Sequence, residues 1–382
     1  MSKKNLDVFA ILKMSDFLKE DFQKRYEDFL GKLAGFYPWC FSSEAMRIKE
    51  PLFTEYGETP FFITVTRGSM IVAFFPMQIK SVGSAPFFYR RLRIWGQVGR
   101  YNDNYRTEFL CLPEYIDSAP QIAMSFLAKE FYSRFDEITF GKIVCEGPFY
   151  GLINKYFKGG MTLNECGNKH IYNSNVKLET HISGNVRQKI RRAKEKLHDS
   201  FSKVEYLCYT KIDPVLFEEI SEIHIKRQQH FEKSGKSRMN FLADNLEREI
   251  FFNKLVYAEK NDALRIYVLR VDSKIVCFLL CFGFGGFTDV CLTAFTEVLK
   301  NHYMSRSLWY YAFDQEISNF GAKILDSGYG TSLMKSSFST ETKPVVDVSF
   351  VNKSNLASRC KNSIRSVKKW MQYRKTQLLV NA

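Results

Sequence analysis

The segment Leu325–Phe338, LDSGYGTSLMKSSF, gathers a carboxylate (Asp326), two glycines (Gly328 and Gly330), a phenol (Tyr329) and an amine (Lys335). Glycines followed by lysine and serine outline a phosphate-cradling loop. Such a loop needs a glycine directly before its lysine, so that backbone N–H groups can curl around phosphate. Met334 occupies that position, and the P-loop reading is set aside. What remains is a glycine turn that carries Asp326 and Lys335. Asp326 either orients a substrate or caps the turn, and Lys335 either meets an anionic group or is simply solvated.

A second group lies in Glu222–Phe231, EIHIKRQQHF. An imidazole titrates near neutrality, so His230 suits a general base or a substrate hydrogen bond. A structural surface histidine is the competing reading. Arg227 lies beside it as an anion ligand. His224 is six residues earlier and does not share the helix face of His230. No Ser-His-Asp arrangement is supported. In Tyr89–Tyr105, YRRLRIWGQVGRYNDNY, Tyr101 and Asn102 sit among arginines and rings. Aromatic faces stack on bases and arginine holds phosphate, which would suit a nucleotide-bearing substrate. A strand with a charged face is the plainer alternative.

Composition narrows the chemistry. The 382 residues carry a net charge of +14, with 45% hydrophobic and 15% aromatic content. That is a globular chain long enough for two domains, with a preference for anionic partners. Nine scattered cysteines without a CxxC, and six histidines without HExxH spacing, exclude a recognisable zinc site and fit a reducing, cytoplasmic compartment. No metal is expected. The N-terminus has no signal-peptide block, and the apolar run Ile275–Phe287 is too short and glycine-rich to cross a bilayer.

The chain repeats itself. Ile63–Phe75 and Ile266–Phe278 both spell strand, tight turn, strand, with turns at Gly68-Ser69 and Asp272-Ser273. Each is followed by a strand (107–112; 288–295), a helix (119–135; 305–319) and another strand (137–141; 322–326). Two copies of one α/β unit explain the length. The first would occupy residues 1–165 and the second 166–382, with 161–180 as a joining segment of mixed signals. Outside the repeat lie a basic amphipathic helix from Ser183, carrying Arg187 and Arg191, and a pair of helices over 217–257 split near Ser234-Gly235. The run Lys353–Lys375 is basic with an apolar edge at Ile364, Val367 and Met371. It suits a membrane surface, an RNA, or packing on the domain.

The order basic helix, EIHIKRQQHF helix, hairpin, aromatic strand, SRSLWYYAFDQEISNFG helix and Asp-x-Gly-x-Gly-x-x-x-x-Lys-x-x-Phe resembles the tandem GNAT-type acyltransferases of bacterial polysaccharide synthesis. It covers most of residues 175–345 and, more weakly, 25–160. The resemblance implies an α/β fold of two GNAT-like domains with mixed sheets. It also implies direct attack of an amine on the thioester of an acyl-CoA, a co-substrate that is not permanently bound. The acceptor would be a nucleotide-linked, dTDP-type amino sugar, with no nucleic acid and with peripheral membrane contact left open. Backbone N–H groups of a splayed strand, expected near Cys277 and Phe278, would stabilise the oxyanion. The pyrophosphate of CoA would meet a helix N-terminus at Tyr303, Met304, Ser305, Arg306 and Ser307, with a serine as cap. The usual Gln/Arg-x-x-Gly-x-Gly/Ala is absent there. Lys335 would meet the donor; Arg187, Arg191, Arg227, Tyr101, Asn102 and Tyr329 would hold the acceptor; His230 and Asp326 would serve catalysis. The second half, where the closing motif is fuller, is expected to hold the donor. A FemABX-like aminoacyl-tRNA-dependent transferase and a non-catalytic nucleic-acid- or membrane-binding module are the alternatives.

Overall fold

The computed structural model describes residues 6–33, 41–82, 89–94, 97–98, 101–102, 110–145, 147–157, 161–234, 240–296, 303–330 and 332–352. The first part of the chain forms β1 (Asp7–Ile11), α1 (Met14–Phe17), α2 (Glu20–Lys32), α3 (Ser43–Ile48), α4 (Glu50–Glu55), β2 (Glu58–Arg67), β3 (Met70–Val82) and β4 (Tyr89–Ile94). Three two-residue strands follow, β5 (Gln97–Val98), β6 (Tyr101–Asn102) and β7 (Leu110–Cys111), then α5 (Ala119–Arg134), β8 (Glu137–Val144), α6 (Pro148–Tyr156) and β9 (Met161–Asn173). The second part forms α7 (Leu178–His181), α8 (Gly184–Ser200), β10 (Val204–Tyr209), α9 (Pro214–Lys233), α10 (Asn245–Lys260), β11 (Leu264–Val271), β12 (Lys274–Phe284), β13 (Phe287–Phe295), α11 (Tyr303–Ser318), β14 (Ile324–Gly330), α12 (Leu333–Phe338) and β15 (Glu341–Val351).

Local chemistry explains the elements. Asp272 and Ser273 both take positive φ, +46° and +71°, which closes the β11–β12 hairpin with the twist its strands need. Ser183 caps α8 by accepting from the Val186 N–H, and α8 buries the stripe Ile190, Ala193 and Leu197 as its spacing requires. Asp213, followed by Pro214 in the first helical turn, accepts from Leu216 N at 2.8 Å and starts α9.

Among the described residues, thirteen strands join in one sheet. Its path is β1-β2-β3-β4-β8-β15-β9-β14-β13-β12-β11-β10, with β7 beside β3. The order reads alike from both ends. β4–α5–β8 and β13–α11–β14 are corresponding parallel crossovers, and each is preceded by antiparallel strands. The duplicated mixed α/β architecture is therefore present, helices flanking the sheet. The two units also exchange their last strands. β9 follows β8 in the chain but pairs with β14, and β15 follows β14 but pairs with β8; β9 and β15 pair with each other at the centre. The expected division at 165/166 thus falls inside β9, and the supposed joining segment is a central strand. Its polar sequence, MTLNECGNKHIYN, hides this because part of one face lines an open cleft instead of a core. The basic run 353–375 lies outside the described residues.

Candidate functional site

β13 and β14 are parallel neighbours for three residue pairs, Phe287↔Ile324, Thr288↔Leu325 and Asp289↔Asp326. Past that point β13 continues along β12 to Phe295, while β14 continues along β9 with Tyr329↔Lys169 and Gly330↔Asn168. The strands diverge into a wedge whose apex is a pair of buried carboxylates, Asp289 and Asp326. Within the wedge β13 carries a bulge: Cys281 faces Val290 and Leu280 faces Leu292, so Cys291 is the extra residue. A bulge bends a strand and re-aims its peptide groups. α11 follows β13 in the chain and packs on α8 and the sheet.

Asp326 is held from two sides. The Gly328 N–H donates to Oδ1 at 2.8 Å, and the Lys169 ammonium lies 2.8 Å from Oδ2. The first bond needs the chain to turn back at once, and Gly328 does so at φ +70°, where a side chain would be strained. Lys335 Nζ donates to the Tyr329 carbonyl at 2.9 Å, directly over this turn. His170, buried beneath, has Nε2 3.0 Å from the Gly330 carbonyl, so that nitrogen carries the proton.

On the same side of the sheet a cleft of about 340 Å³ crosses the junction of the two units. Lys142, Lys169, Lys343, Asp326, Glu341 and Tyr329 provide its polar lining; Val144, Ile171, Ile324 and Phe287 its apolar lining. The Lys142 ammonium sits 5.3 Å from the centre of the Tyr329 ring. A cleft of this size with a few convergent charges is the usual form of a small-molecule site.

The structure distributes the expected residues unevenly. Asp326, Tyr329 and Lys335 come together at the wedge. Cys277 and Phe278 do not: they are fully buried in β12, paired with β11 on one side and β13 on the other. Their backbone groups belong to the sheet, and the diverging strand is β13. Burial pushes the Cys277 thiol up to about 12. Ser305 and Ser307 are not at a cap position, because α11 already includes Tyr303 and Met304. Both serines are buried, Ser305 donating to the Met334 sulfur at 3.6 Å and Ser307 accepting from Tyr206 at 2.8 Å. Arg306 beside them is half-buried.

His230 is exposed near the end of α9. Arg227 lies 4.2 Å from the ring centres of both Phe231 and Phe295, so its guanidinium is stacked where β13 ends. Arg187 donates to the Glu179 carbonyl, and Arg191 faces solvent opposite Glu195 at 3.7 Å; both belong to the outer face of α8. Among the described residues, Tyr101 and Asn102 form β6 and pair with β5 in a ribbon apart from the main sheet. Sequence reasoning missed Lys142, Lys169 and Lys343. Their one local signal is a lysine inside a strand, in GKIV, NKHIY and ETKPVV.

No family model matches the chain, and no curated protein does. Solved structures do. A conserved protein of unknown function from Bacteroides thetaiotaomicron aligns over 90% of this chain and 100% of that one at 11% identity, with a TM-score of 0.51. L-PGS from Bacillus licheniformis aligns over 85% and 96% at 14% identity and TM-score 0.47. A tandem GNAT protein from the clavulanic acid biosynthesis pathway aligns over 90% and 98% at 9% identity and TM-score 0.47. At 11% identity the first is a likeness of fold.

Proposed function

We propose that the chain is an acyl-CoA-dependent N-acyltransferase whose acceptor is the amino group of a nucleotide-linked amino sugar, of the kind built into surface polysaccharides. One observation carries the reading: the parallel ladder of β13 and β14 stops after three pairs at Asp289↔Asp326, and the released strand is bulged at Cys291. A wedge of this kind admits a thioester between two strands and offers it the peptide edge of β13 as a hydrogen-bonding wall.

The acceptor amine approaches from the cleft, where the Asp326 carboxylate, fixed by Lys169 and Gly328, orients it. The nitrogen lone pair attacks the thioester carbonyl carbon. As the tetrahedral adduct collapses, the C–N bond is kept, the C–S bond breaks and the thiolate leaves. The ammonium proton passes to cleft water, and the thiolate takes one up. Lys335 contributes positive charge beside the developing oxyanion. The half-buried Arg306 and the first turn of α11 add a positive field for a phosphorylated donor. Holding two reactants in one wedge supplies most of the acceleration such chemistry needs.

The test is thiol release from acetyl-CoA by the purified chain across a panel of dTDP- and UDP-linked amino sugars, with Asp326→Asn and Lys335→Met beside the wild type. Turnover that either substitution lowers by about 100-fold supports the reading. Absence of turnover with every sugar, together with transfer of a labelled amino acid from charged tRNA, would overturn the assignment of donor and acceptor.

A further inference from the structure

Lys169 on β9 and Lys343 on β15 are direct cross-strand partners. Like charges placed opposite each other on adjacent strands repel. Each ammonium has a carboxylate, Asp326 at 2.8 Å from Lys169 and Glu341 at 3.0 Å from Lys343. The Glu341 pair is largely exposed and screened. A third ammonium converges from β8. Lys142 takes φ +56°, a region a lysine rarely occupies, and its N–H is held at 2.7 Å by the Asp347 carboxylate. That contact sets the kink that brings Lys142 towards Tyr329. Three ammonium groups, Lys142, Lys169 and Lys343, therefore line one cleft together with Asp326 and Glu341.

The exchange sets the order of the three lysines: Lys343 on β15 lies between Lys142 on β8 and Lys169 on β9, and it is β9 that lies beside Asp326 on β14. Lys142 and Lys169 come from the first half of the chain, Lys343 and Asp326 from the second. A site assembled from both halves, with a strained lysine held in place by a dedicated carboxylate, is built for an anion. The apolar floor of Ile171, Ile324 and Phe287 leaves room for an uncharged ring beside it.

We propose that this cleft is a diphosphate subsite, in which Lys142 and Lys343 bind the diphosphate ester of the acceptor while Asp326, with Lys169, receives its amino group. The inference rests on the acyltransferase reading for the identity of the acceptor, but the anion site can be tested without the reaction. Calorimetric titrations of the full chain with UDP, dTDP, inorganic pyrophosphate and uridine would be run with and without saturating CoA. Wild type, Lys142→Met and Lys343→Met would be compared, with circular dichroism confirming that each variant is folded.

The expected result is binding of UDP, dTDP and pyrophosphate that weakens as salt rises. It should persist in the presence of CoA and fall about tenfold in each lysine variant, one lost contact to a charged group corresponding to ~1.5 kcal/mol. Failure of the three phosphate ligands to bind, displacement of UDP by CoA, equal binding of uridine, or unchanged affinity in both variants would each overturn the subsite. Failure of the acyltransferase reading shows separately, as absence of thiol release from acetyl-CoA in a chain that still binds UDP through Lys142 and Lys343.

Discussion

Replacing Lys169 with methionine should destabilise the chain far more than its position on a cleft wall suggests. The Asp326 side chain is 4% exposed and that of Lys169 14%, so the substitution strands a carboxylate that keeps, among the described residues, the Gly328 N–H as its donor. Removing one partner of a fully buried pair costs about 3–5 kcal/mol. Partial access of water and the retained N–H bond reduce this to about 2–4 kcal/mol. Asp326→Asn should cost less, about 1–2 kcal/mol, because the long lysine can turn its ammonium towards the cleft mouth. The double variant, with a neutral amide beside a thioether, should recover most of the loss. The double-mutant cycle then gives a coupling of about 3 kcal/mol. Urea unfolding followed by fluorescence and circular dichroism measures it: with a slope of about 3 kcal/mol per molar, Lys169→Met lowers the midpoint by about 1 M. A midpoint unchanged within ~0.2 M, or a coupling under ~0.5 kcal/mol, would refute the claim that Asp326 depends on Lys169 for its buried charge.

Two further outcomes follow from His224 and Gly328. His224 is buried on α9 with neither ring nitrogen bonded among the described residues, and burial pushes its pKa down to about 4. A depressed histidine contributes stability that is full above its unfolded pKa of about 6.5 and is lost as pH falls towards 4. At pH 5 the loss is about 2 kcal/mol, so His224→Leu should flatten the fall in midpoint between pH 7 and pH 5; an unchanged slope would show that the ring is already charged or hydrated. Gly328→Ala should cost about 1–2 kcal/mol, because φ is +70° there while an added Cβ meets only the Lys335 amine at 3.7 Å. A cost near zero would mean that the turn relaxes and the Asp326–Gly328 bond is dispensable.

Much of the fold was legible because its signals are local. Asp272-Ser273 demanded a tight hairpin, the 190, 193 and 197 spacing demanded an amphipathic helix, and both form. The glycine turn also drew attention to Asp326, Tyr329 and Lys335, which the structure brings together. What could not be read is pairing at long range. Whether β12 or β13 loses a neighbour depends on where β14 arrives, more than thirty residues after β13 begins, so the expectation of a splayed strand fell on Cys277 and Phe278 in β12 and not on β13. β9 was obscure for a different reason. Lys169 and Asn173 face a cleft while His170 and Tyr172 are buried, so the alternation that marks a strand has a polar residue at nearly every position. His230 was chosen for its chemistry, and chemistry alone does not place a side chain: the α9 histidine that turns inward is His224.

The corresponding apex in the first unit is built from different chemistry. There β4 and β8 run parallel through Arg91↔Glu137, Leu92↔Ile138 and Arg93↔Thr139, so Arg93 and Thr139 occupy the places of Asp289 and Asp326. Arg93 donates to the wholly buried Glu58 carboxylate, which also accepts from Gln78 and, at 3.2 Å, from Lys80. Tyr89 and Arg91 bond Glu137 in the same way. Carboxylate and cation there come from the same unit and satisfy each other, leaving little for a ligand to gain by entering. In the second unit the apex carboxylate of Asp326 depends on Lys169, supplied by the first. Strand exchange has therefore made one apex self-contained and the other shared, and the shared apex opens on a cleft with further cations, which is why the proposed acceptor site is placed there.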